Sequence, residues 1–570
     1  MAYNEKDLRS KAEAYLKAER EPVFRTEVEA ELARGDWEAL FDRFYTSLSF
    51  GTAGMRGIIG GGTNRMNSYM VRKVTQGLSE YLMTASANPS VVIAYDSRNF
   101  SELFAMEAAL VLAANGVSVY LYQTLHPVPM LSFAVRYLQT TAGIVITASH
   151  NPAKYNGYKV YWRDGGQVTP PHDYSIAERA NAVKLEDIKD INEQNARSKG
   201  LLVPVPDKVD EAYYHAALLS LRRPNLVQDS PITVAYTPLH GSGNIPVQHL
   251  LKKVGIRCVV VEQQREPDGN FPTVELPNPE HPKAMQMVLD LAKREKADIV
   301  LGTDPDADRL GIAIPLSAKK DEYRLLTGNQ IATLLVDYLV EADKHKLLSK
   351  RPLVVKSLVT TDLVARIVES QGGRCKDVLT GFKYIAEQIA DLEGPKGEHE
   401  YFLFGCEESY GFLTLNQVRD KDAVSSALAS VEMMCYWAKQ NLTLQERLEQ
   451  IYERWGYSTE AVFSKDYEGA SGKEKMASIM ANLRKLKTGD QLAGKEITDF
   501  KDLLDGKQDK FPPSDVLIMH LEGGDKLVVR PSGTEPKIKY YLFFTAEASE
   551  RAQLEKDLPS RIERYKAALS

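Results

Sequence analysis

Residues 91–122 read VVIAYDSRNFSELFAMEAALVLAANGVSVYLY. An apolar run at 91–96 reads as a buried strand. A stretch with helical periodicity follows at 101–115, with Ser101 as its expected N-cap, and 117–122 returns to strand. Asn115 and Gly116 break the apolar stretch, so neither half is long enough to span a bilayer. A strand, a helix and a second strand in this spacing specify an α/β unit. The next strand is expected at 144–147.

The same grammar restarts twice. Strands at 232–236, 258–261 and 298–302 alternate with helices at 246–254 and 283–293. A third round runs through helix 329–341, strand 353–357, helix 361–370 and strand 401–404. Three successive α/β units of ~100–130 residues are the economical description. The last stretch differs: strands at 515–521, 526–530 and 538–545, joined by Gly-Gly and Ser-Gly turns and followed by a charged helix, read as a small α+β unit. Residues 464–509, rich in Lys, Gly and Asp, bridge into it or open it. The first fifty residues are charged and helix-friendly, as in 27–34.

Length and composition agree with several ordinary globular cores. The chain has 570 residues with 44% hydrophobic and 26% charged, and about 150 residues per domain gives three or four domains. Seventy-one basic against 77 acidic residues give a net charge of −6, so no global polycation exists for nucleic acid. The 4 cysteines lie far apart without a CxxC pair, which fits idle thiols in a reducing compartment. The polar N-terminus lacks the apolar core of a signal peptide, and a cytoplasmic location is expected.

Four loops after strands carry the chemistry. Thr147-Ala148-Ser149-His150-Asn151-Pro152 places a serine at a strand's carboxyl end, where it is either a turn former or a nucleophile. Asp304-Pro305-Asp306-Ala307-Asp308-Arg309 offers three carboxylates at alternate positions, suited to one hard divalent cation. It is no EF-hand, because Arg309 and Pro315 occupy the positions of the turn glycine and the bidentate glutamate. A solvated acidic loop is the bland alternative. Gly405-Cys406-Glu407-Glu408-Ser409-Tyr410-Gly411 either gives acceptor and donor groups for paired sugar hydroxyls or is one more acidic loop. Arg530-Pro531-Ser532-Gly533-Thr534-Glu535-Pro536 is either a hairpin turn or a phosphate cradle. Phe50 to Gly57, with three glycines and Arg56, is a flexible turn or a loop through which backbone N–H groups approach an anion. No Gly-x-Ser-x-Gly elbow, Gly-x-Gly-x-x-Gly or Walker Gly-Lys-Ser/Thr is present.

In this order and spacing the loops resemble the α-D-phosphohexomutase superfamily, closest to its bacterial phosphoglucomutase/phosphomannomutase family. The resemblance covers nearly the whole chain after residue 45. It implies three similar α/β domains with mixed sheets plus a smaller C-terminal α+β domain around a central cleft, with boundaries read as 1–210, 211–322, 323–455 and 456–570. It also implies that Ser149 carries a phosphoryl group and, with Asp304, Asp306 and Asp308, holds Mg²⁺. His150, Lys159, Arg309 and Lys383 become the further catalytic candidates. Arg56, Thr380, Gly381, Glu407 and Ser409 would contact substrate, and Arg530, Ser532, Gly533 and Thr534 would hold the phosphate that is not reacting.

The implied reaction interconverts glucose 1-phosphate and glucose 6-phosphate, with glucose 1,6-bisphosphate as intermediate and activator. Pentose and mannose phosphates are the alternative substrates, and a phosphosugar-binding regulator or a phosphatase the alternative classes. The partners implied are small sugar phosphates, with no nucleic acid or membrane. One departure is Ala423, after Arg419-Asp420-Lys421-Asp422, where relatives often carry Gly; its expected effect is small.

Overall fold

The computed structural model describes residues 4–51, 54–228, 230–344, 349–467, 469–506, 511–532 and 537–569. Its first three sheets share one wiring. In the first, Ser90–Tyr95 lies parallel between Ser118–Leu121 and Ala142–Ile146, and Tyr155–Trp162 then folds back antiparallel on Ala142–Ile146. The second repeats this with Thr233–Thr237 between Arg257–Val260 and Ile299–Thr303, and Leu310–Pro315 folding back. The third repeats it with Arg351–Ser357 between Arg374–Val378 and Glu400–Glu407, and Gly411–Leu413 folding back. Three strands parallel and a fourth antiparallel make each sheet mixed. The first adds Gly54–Ile58 and Leu202–Pro204 at its edges, and the second adds Tyr323–Leu325.

Ala142–Ile146 and Ile299–Thr303 are buried at every position. Helices cover both faces of the sheets, so these strands read as continuous apolar runs and not as alternating ones. The expected strands and helices of the three units are all present, with ends shifted by a few residues. The folding-back strands Tyr155–Trp162 and Leu310–Pro315 escaped the sequence reading. Ser101 is not a cap either: the residue before the helix Ser101–Ala114 is Phe100, in the left-handed region at φ 65°, and the Ser101 hydroxyl instead donates to Asp96 Oδ1 at 2.9 Å.

Beyond residue 456 the three expected strands belong to a larger antiparallel sheet. Its order is Tyr457–Asp466, Lys537–Ala546, Asp525–Pro531, Leu517–Leu521, Lys495–Asp502 and Gln491–Leu492. Two of the extra strands lie in the segment read as a bridge. Lys495–Asp502 is KEITDFKD, with no clean apolar alternation, and Tyr457–Asp466 is mostly half-exposed or exposed. Pairing specifies them: Tyr457–Asp466 matches Lys537–Ala546 residue for residue over its whole length. Before residue 45, helices Glu5–Ala18, Pro22–Arg34 and Trp37–Phe44 form a layer on the first unit. Arg43 fastens it by donating to Gly61 O at 2.8 Å and to Glu27 and Glu31 at 2.8 Å each.

The units share one extended core. A single apolar cluster runs from the helix Val128–Tyr137 through the second and third sheets to the fourth. Buried hydrogen bonds cross the seams: the Tyr161 hydroxyl donates to Asp420 at 2.7 Å and the Tyr213 hydroxyl to Asp422 at 2.9 Å. Asp422 also caps the helix Ala423–Lys439. Ala423 takes no positive φ, so glycine is not required there. No described helix is long and apolar enough to cross a membrane.

Candidate active site

The common wiring brings three loops to equivalent places. Each joins the last parallel strand of its unit to the strand that folds back, and each turns through a non-glycine residue at positive φ: Ser149 (51°), Ala307 (48°) and Tyr410 (64°). Such backbone costs about 1–3 kcal/mol and persists where surrounding contacts over-determine it. Here they do. Tyr410 O accepts from Leu310 N at 3.0 Å, Ala307 O from Ala423 N at 3.2 Å, and Asp306 O from Val128 N at 3.0 Å, so the loops lock together across units.

Ser149 is buried, and its hydroxyl donates to Asp304 Oδ2 at 2.7 Å. His150 Nδ1 lies 3.0 Å from the same Ser149 oxygen. Burial and the guanidiniums of Arg309, Arg56 and Arg98 hold the imidazole well below its ordinary pKa, so it is neutral. Arg56 donates to Asn151 Oδ1 at 3.2 Å, which places it on the same loop.

Asp304, Asp306 and Asp308 are all buried, and one oxygen of each lies within 4.8 Å of the others. Burial, then Asp306 and Asp308, raise Asp304 well above the usual carboxylate range. Asp306 goes the other way: burial opposes it, but the Lys159 ammonium at 3.0 Å lowers it. Lys421, 3.1 Å from both Asp308 and Asp420, keeps its proton despite burial because of those two charges. Asp306 Oδ1 and Asp308 Oδ1 are shut from water and take no basic or amide donor among the described residues. Orphaned, converging carboxylate oxygens fit a hard divalent cation. Arg309 flanks the cluster, 3.9 Å from Asp308 and 3.5 Å from Glu280.

The third loop faces this cluster, with Arg309 and Gly411 paired as a bridge between the units. Glu407 accepts from Gly381 N at 2.7 Å, joining the Glu407–Ser409 turn to the Thr380-Gly381 turn, where the Thr380 hydroxyl is buried without a partner among the described residues. Ser409 is half-buried in the turn. Lys383 lies apart from the serine and aspartates. It stands 4.0 Å from Asp173, and burial lowers its pKa.

From the fourth sheet, Arg530 donates to the Tyr541 hydroxyl at 3.1 Å, and its charge reaches Glu408. Ser532 N donates to Lys537 O at 2.8 Å. Gly533 and Thr534 lie outside the described residues.

Burial, with Glu407 beside it, pushes the Glu408 carboxyl up to about 7 from its ordinary 4.5. A raised carboxyl holds its proton in the folded chain after the unfolded chain has lost it. Its contribution to stability is therefore present below about pH 4.5 and lost as pH rises through about 7. Glu408→Gln is expected to abolish this loss, so its melting temperature relative to wild type should climb from pH 5 to pH 8. Parallel melting curves across that range would contradict it.

Supporting residues passed unnoticed in the sequence. Arg98 is fully buried and donates to the carbonyls of Ser149, Asn151, Pro152 and Tyr155, the last two at 3.0 Å. Asp96 backs it at 3.4 Å and lies 2.6 Å from the Thr147 hydroxyl, which accepts from Ser149 N at 2.8 Å. In the second unit Ser242 donates through N and Oγ to Pro305 O, both at 2.8 Å, and a Cβ on Gly241 would meet Pro305 Cα at 2.5 Å. An Asp-Ser-Arg directly after a buried strand was the available signal for Arg98. Arg98→Met should lower kcat about 100-fold by displacing Ser149, with KM nearly unchanged. A KM rise with kcat intact would refute that positioning role.

Family models match three stretches, described as phosphoglucomutase/phosphomannomutase alpha/beta/alpha domains I, II and III, at residues 47–187, 212–316 and 327–455. A curated relative, the phosphoglucomutase of Staphylococcus aureus (strain MRSA252), is 37% identical over 515 residues, covering 88% of this chain and 90% of that protein. Among solved structures, Paramecium pp63/parafusin superposes with TM-score 0.69 at 17% identity, covering 92% of this chain and 95% of that one. A putative phosphomannomutase from Thermus thermophilus gives 0.65 at 22%, covering 91% and 99%. The two structures share the fold.

Proposed function

The chain belongs to the phosphoglucomutase/phosphomannomutase family, and from that premise we propose that it interconverts glucose 1-phosphate and glucose 6-phosphate through a phosphorylated Ser149. The carrying observation is the Ser149 hydroxyl, on a loop held by Arg98 and Thr147, 2.7 Å from a buried three-aspartate cluster that faces the Glu407 turn.

In the forward half-reaction the bond from Ser149 Oγ to phosphorus breaks as a sugar hydroxyl oxygen bonds to phosphorus, giving glucose 1,6-bisphosphate. The hydroxyl attacks in line from the side opposite Ser149 Oγ, so its proton goes to a base on the sugar side, for which Lys383 with its lowered pKa is the candidate. The Ser149 oxygen left behind takes up a proton relayed through His150, whose Nδ1 lies 3.0 Å away. The bisphosphate turns over, and Ser149 accepts the other phosphoryl group. Glu407 and Ser409 hold the sugar hydroxyls in either orientation, with Thr380 and Gly381 beside them. Arg530, Ser532, Gly533 and Thr534 cradle the idle phosphate, and Arg56 lies close to the reacting one.

Asp304, Asp306 and Asp308 would hold Mg²⁺ with the phosphoserine, and the ion would neutralise charge on the transferring group. Lys159 keeps Asp306 ionised, Lys421 pairs with Asp308, and Arg309 adds positive charge beside them. Lys383, with its lowered pKa, serves the sugar side of the cleft.

In this reading the chain divides at 210/211, 322/323 and 455/456. It works in the cytoplasm, where phosphorylated sugars are retained and the four free thiols stay reduced. Turnover of glucose 1-phosphate with Mg²⁺ and a trace of glucose 1,6-bisphosphate tests it, with ribose 1-phosphate and mannose 1-phosphate alongside. Rapid glucose 6-phosphate formation is expected. Activity on ribose 1-phosphate alone would overturn the substrate, steady release of inorganic phosphate would indicate a phosphatase, and no turnover would leave a sugar-phosphate binder.

A further inference from the structure

A cavity of about 330 Å³ opens at the seam between the first and third units, built from residues outside the serine and aspartate cluster. Two guanidiniums meet on its wall. Arg136, on the helix Val128–Tyr137, and Arg419 both donate to one carboxylate oxygen, Glu393 Oε1, at 2.6 Å each. Glu393 is itself 52% exposed, so water screens the one charge the two arginines share.

Arg419 is 2% exposed. Its Nη1 is taken by the carbonyls of Asn416 and Val418, while its Nε is buried with no hydrogen-bond partner among the described residues. Lys350, also on the wall, donates to a neutral group, Gly397 O, at 2.6 Å. The other acid lining the cavity, Glu400, is engaged by Arg374 through both oxygens at 3.0 Å. Asp164 offers Arg136 its backbone carbonyl at 2.9 Å, and its carboxylate accepts from Gly166 N at 3.1 Å while attracting Arg419 from a distance. Burial, and after it the repulsion of Arg136, push Arg419 down to about 10.

Forked donors and a compact ammonium around one space match the oxygens of a phosphate. The volume lies at the lower end of ligand-sized cavities, about 300–1,000 Å³. Tyr401 and Phe402 give it walls for a carbon body.

We propose that this cavity binds a small organic phosphate through Arg136, Arg419 and Lys350, at a site separate from the cleft. Its occupant would lie beside the segment that runs from Arg419 through Asp420 to Lys421, the residue paired with Asp308. The site does not depend on the sugar turned over.

The test uses glycerol 3-phosphate and inorganic phosphate as probes, titrated by calorimetry at fixed ionic strength. They are added to the wild-type chain, to Arg136→Gln, to Lys350→Gln and to the cleft variant Arg530→Gln. Glycerol 3-phosphate binding should survive Arg530→Gln and weaken about tenfold in Arg136→Gln and Lys350→Gln. Lys350 is exposed, so its variant keeps the fold and its turnover without added phosphate even where Arg136→Gln destabilises the seam. Equal affinities in wild type and Lys350→Gln, or binding lost entirely in Arg530→Gln, would overturn the site. Equal affinities for the two probes would overturn its assignment to an organic phosphate.

Discussion

Ser149→Ala is expected to lower mutase turnover by a factor on the order of 10⁴ or more, because no other group in the cleft can carry the phosphoryl group between two orientations of one sugar. The hydroxyl is buried, held at φ 51° and 2.7 Å from Asp304. The sequence neighbour that could stand in is His150, whose Nδ1 sits 3.0 Å from the missing oxygen. A phosphorylated imidazole there would begin from a displaced atom and lose the alignment that in-line transfer demands. The fold should be indifferent to the change, since the loop is held through backbone atoms: Arg98 grips the carbonyls and Thr147 accepts from Ser149 N. A coupled assay of glucose 6-phosphate formation, with a thermal melt as control, measures both. Retention of even a tenth of wild-type turnover in pure Ser149→Ala would sink the phosphoserine mechanism.

Asp306→Asn should be nearly as damaging, with kcat down by about 10³-fold and the Mg²⁺ concentration for half-activity raised by at least about tenfold. Asp306 lies at the centre of the charge pattern. One of its oxygens takes Lys159 at 3.0 Å and lies 3.1 Å from the Thr147 hydroxyl, while the other is buried with no basic or amide donor among the described residues. An amide in its place keeps the shape but offers one oxygen where a hard cation needs an anionic one. Among the described residues it also leaves the Lys159 ammonium, 13% exposed, with Asp308 at 3.7 Å as its remaining ion pair. Titrating activity against Mg²⁺ separates the two effects: high metal should restore part of the rate, and what stays lost belongs to Lys159. A wild-type Mg²⁺ curve for Asp306→Asn would remove Asp306 from the metal site.

Both predictions rest on residues that could be found by reading the chain. Ser149 and the three aspartates stand out because each loop follows an apolar run that is too buried to alternate, and because their residue types are costly to bury without a purpose. The repeated strand-and-helix grammar was legible for the same reason: helices cover these sheets on both sides, and continuous burial leaves a local apolar signature.

What escaped has no such signature. Tyr457–Asp466 and Lys495–Asp502 are strands because partners lie beside them, and their side chains are largely solvated. The contacts of Arg98 and Lys421 are not local either, since only the folded chain surrounds them with carbonyls and carboxylates. Composition and local pattern alone determined the α/β units and the carboxylate cluster, because burial and residue chemistry act on neighbours in sequence, whereas Ser149 was separated from an ordinary turn serine by the family resemblance of its loop. Tertiary structure alone decided that three loops more than a hundred residues apart meet, which protons each carboxyl keeps, and which cations hold them, because electrostatic energy depends on distance in space and on the water that packing removes.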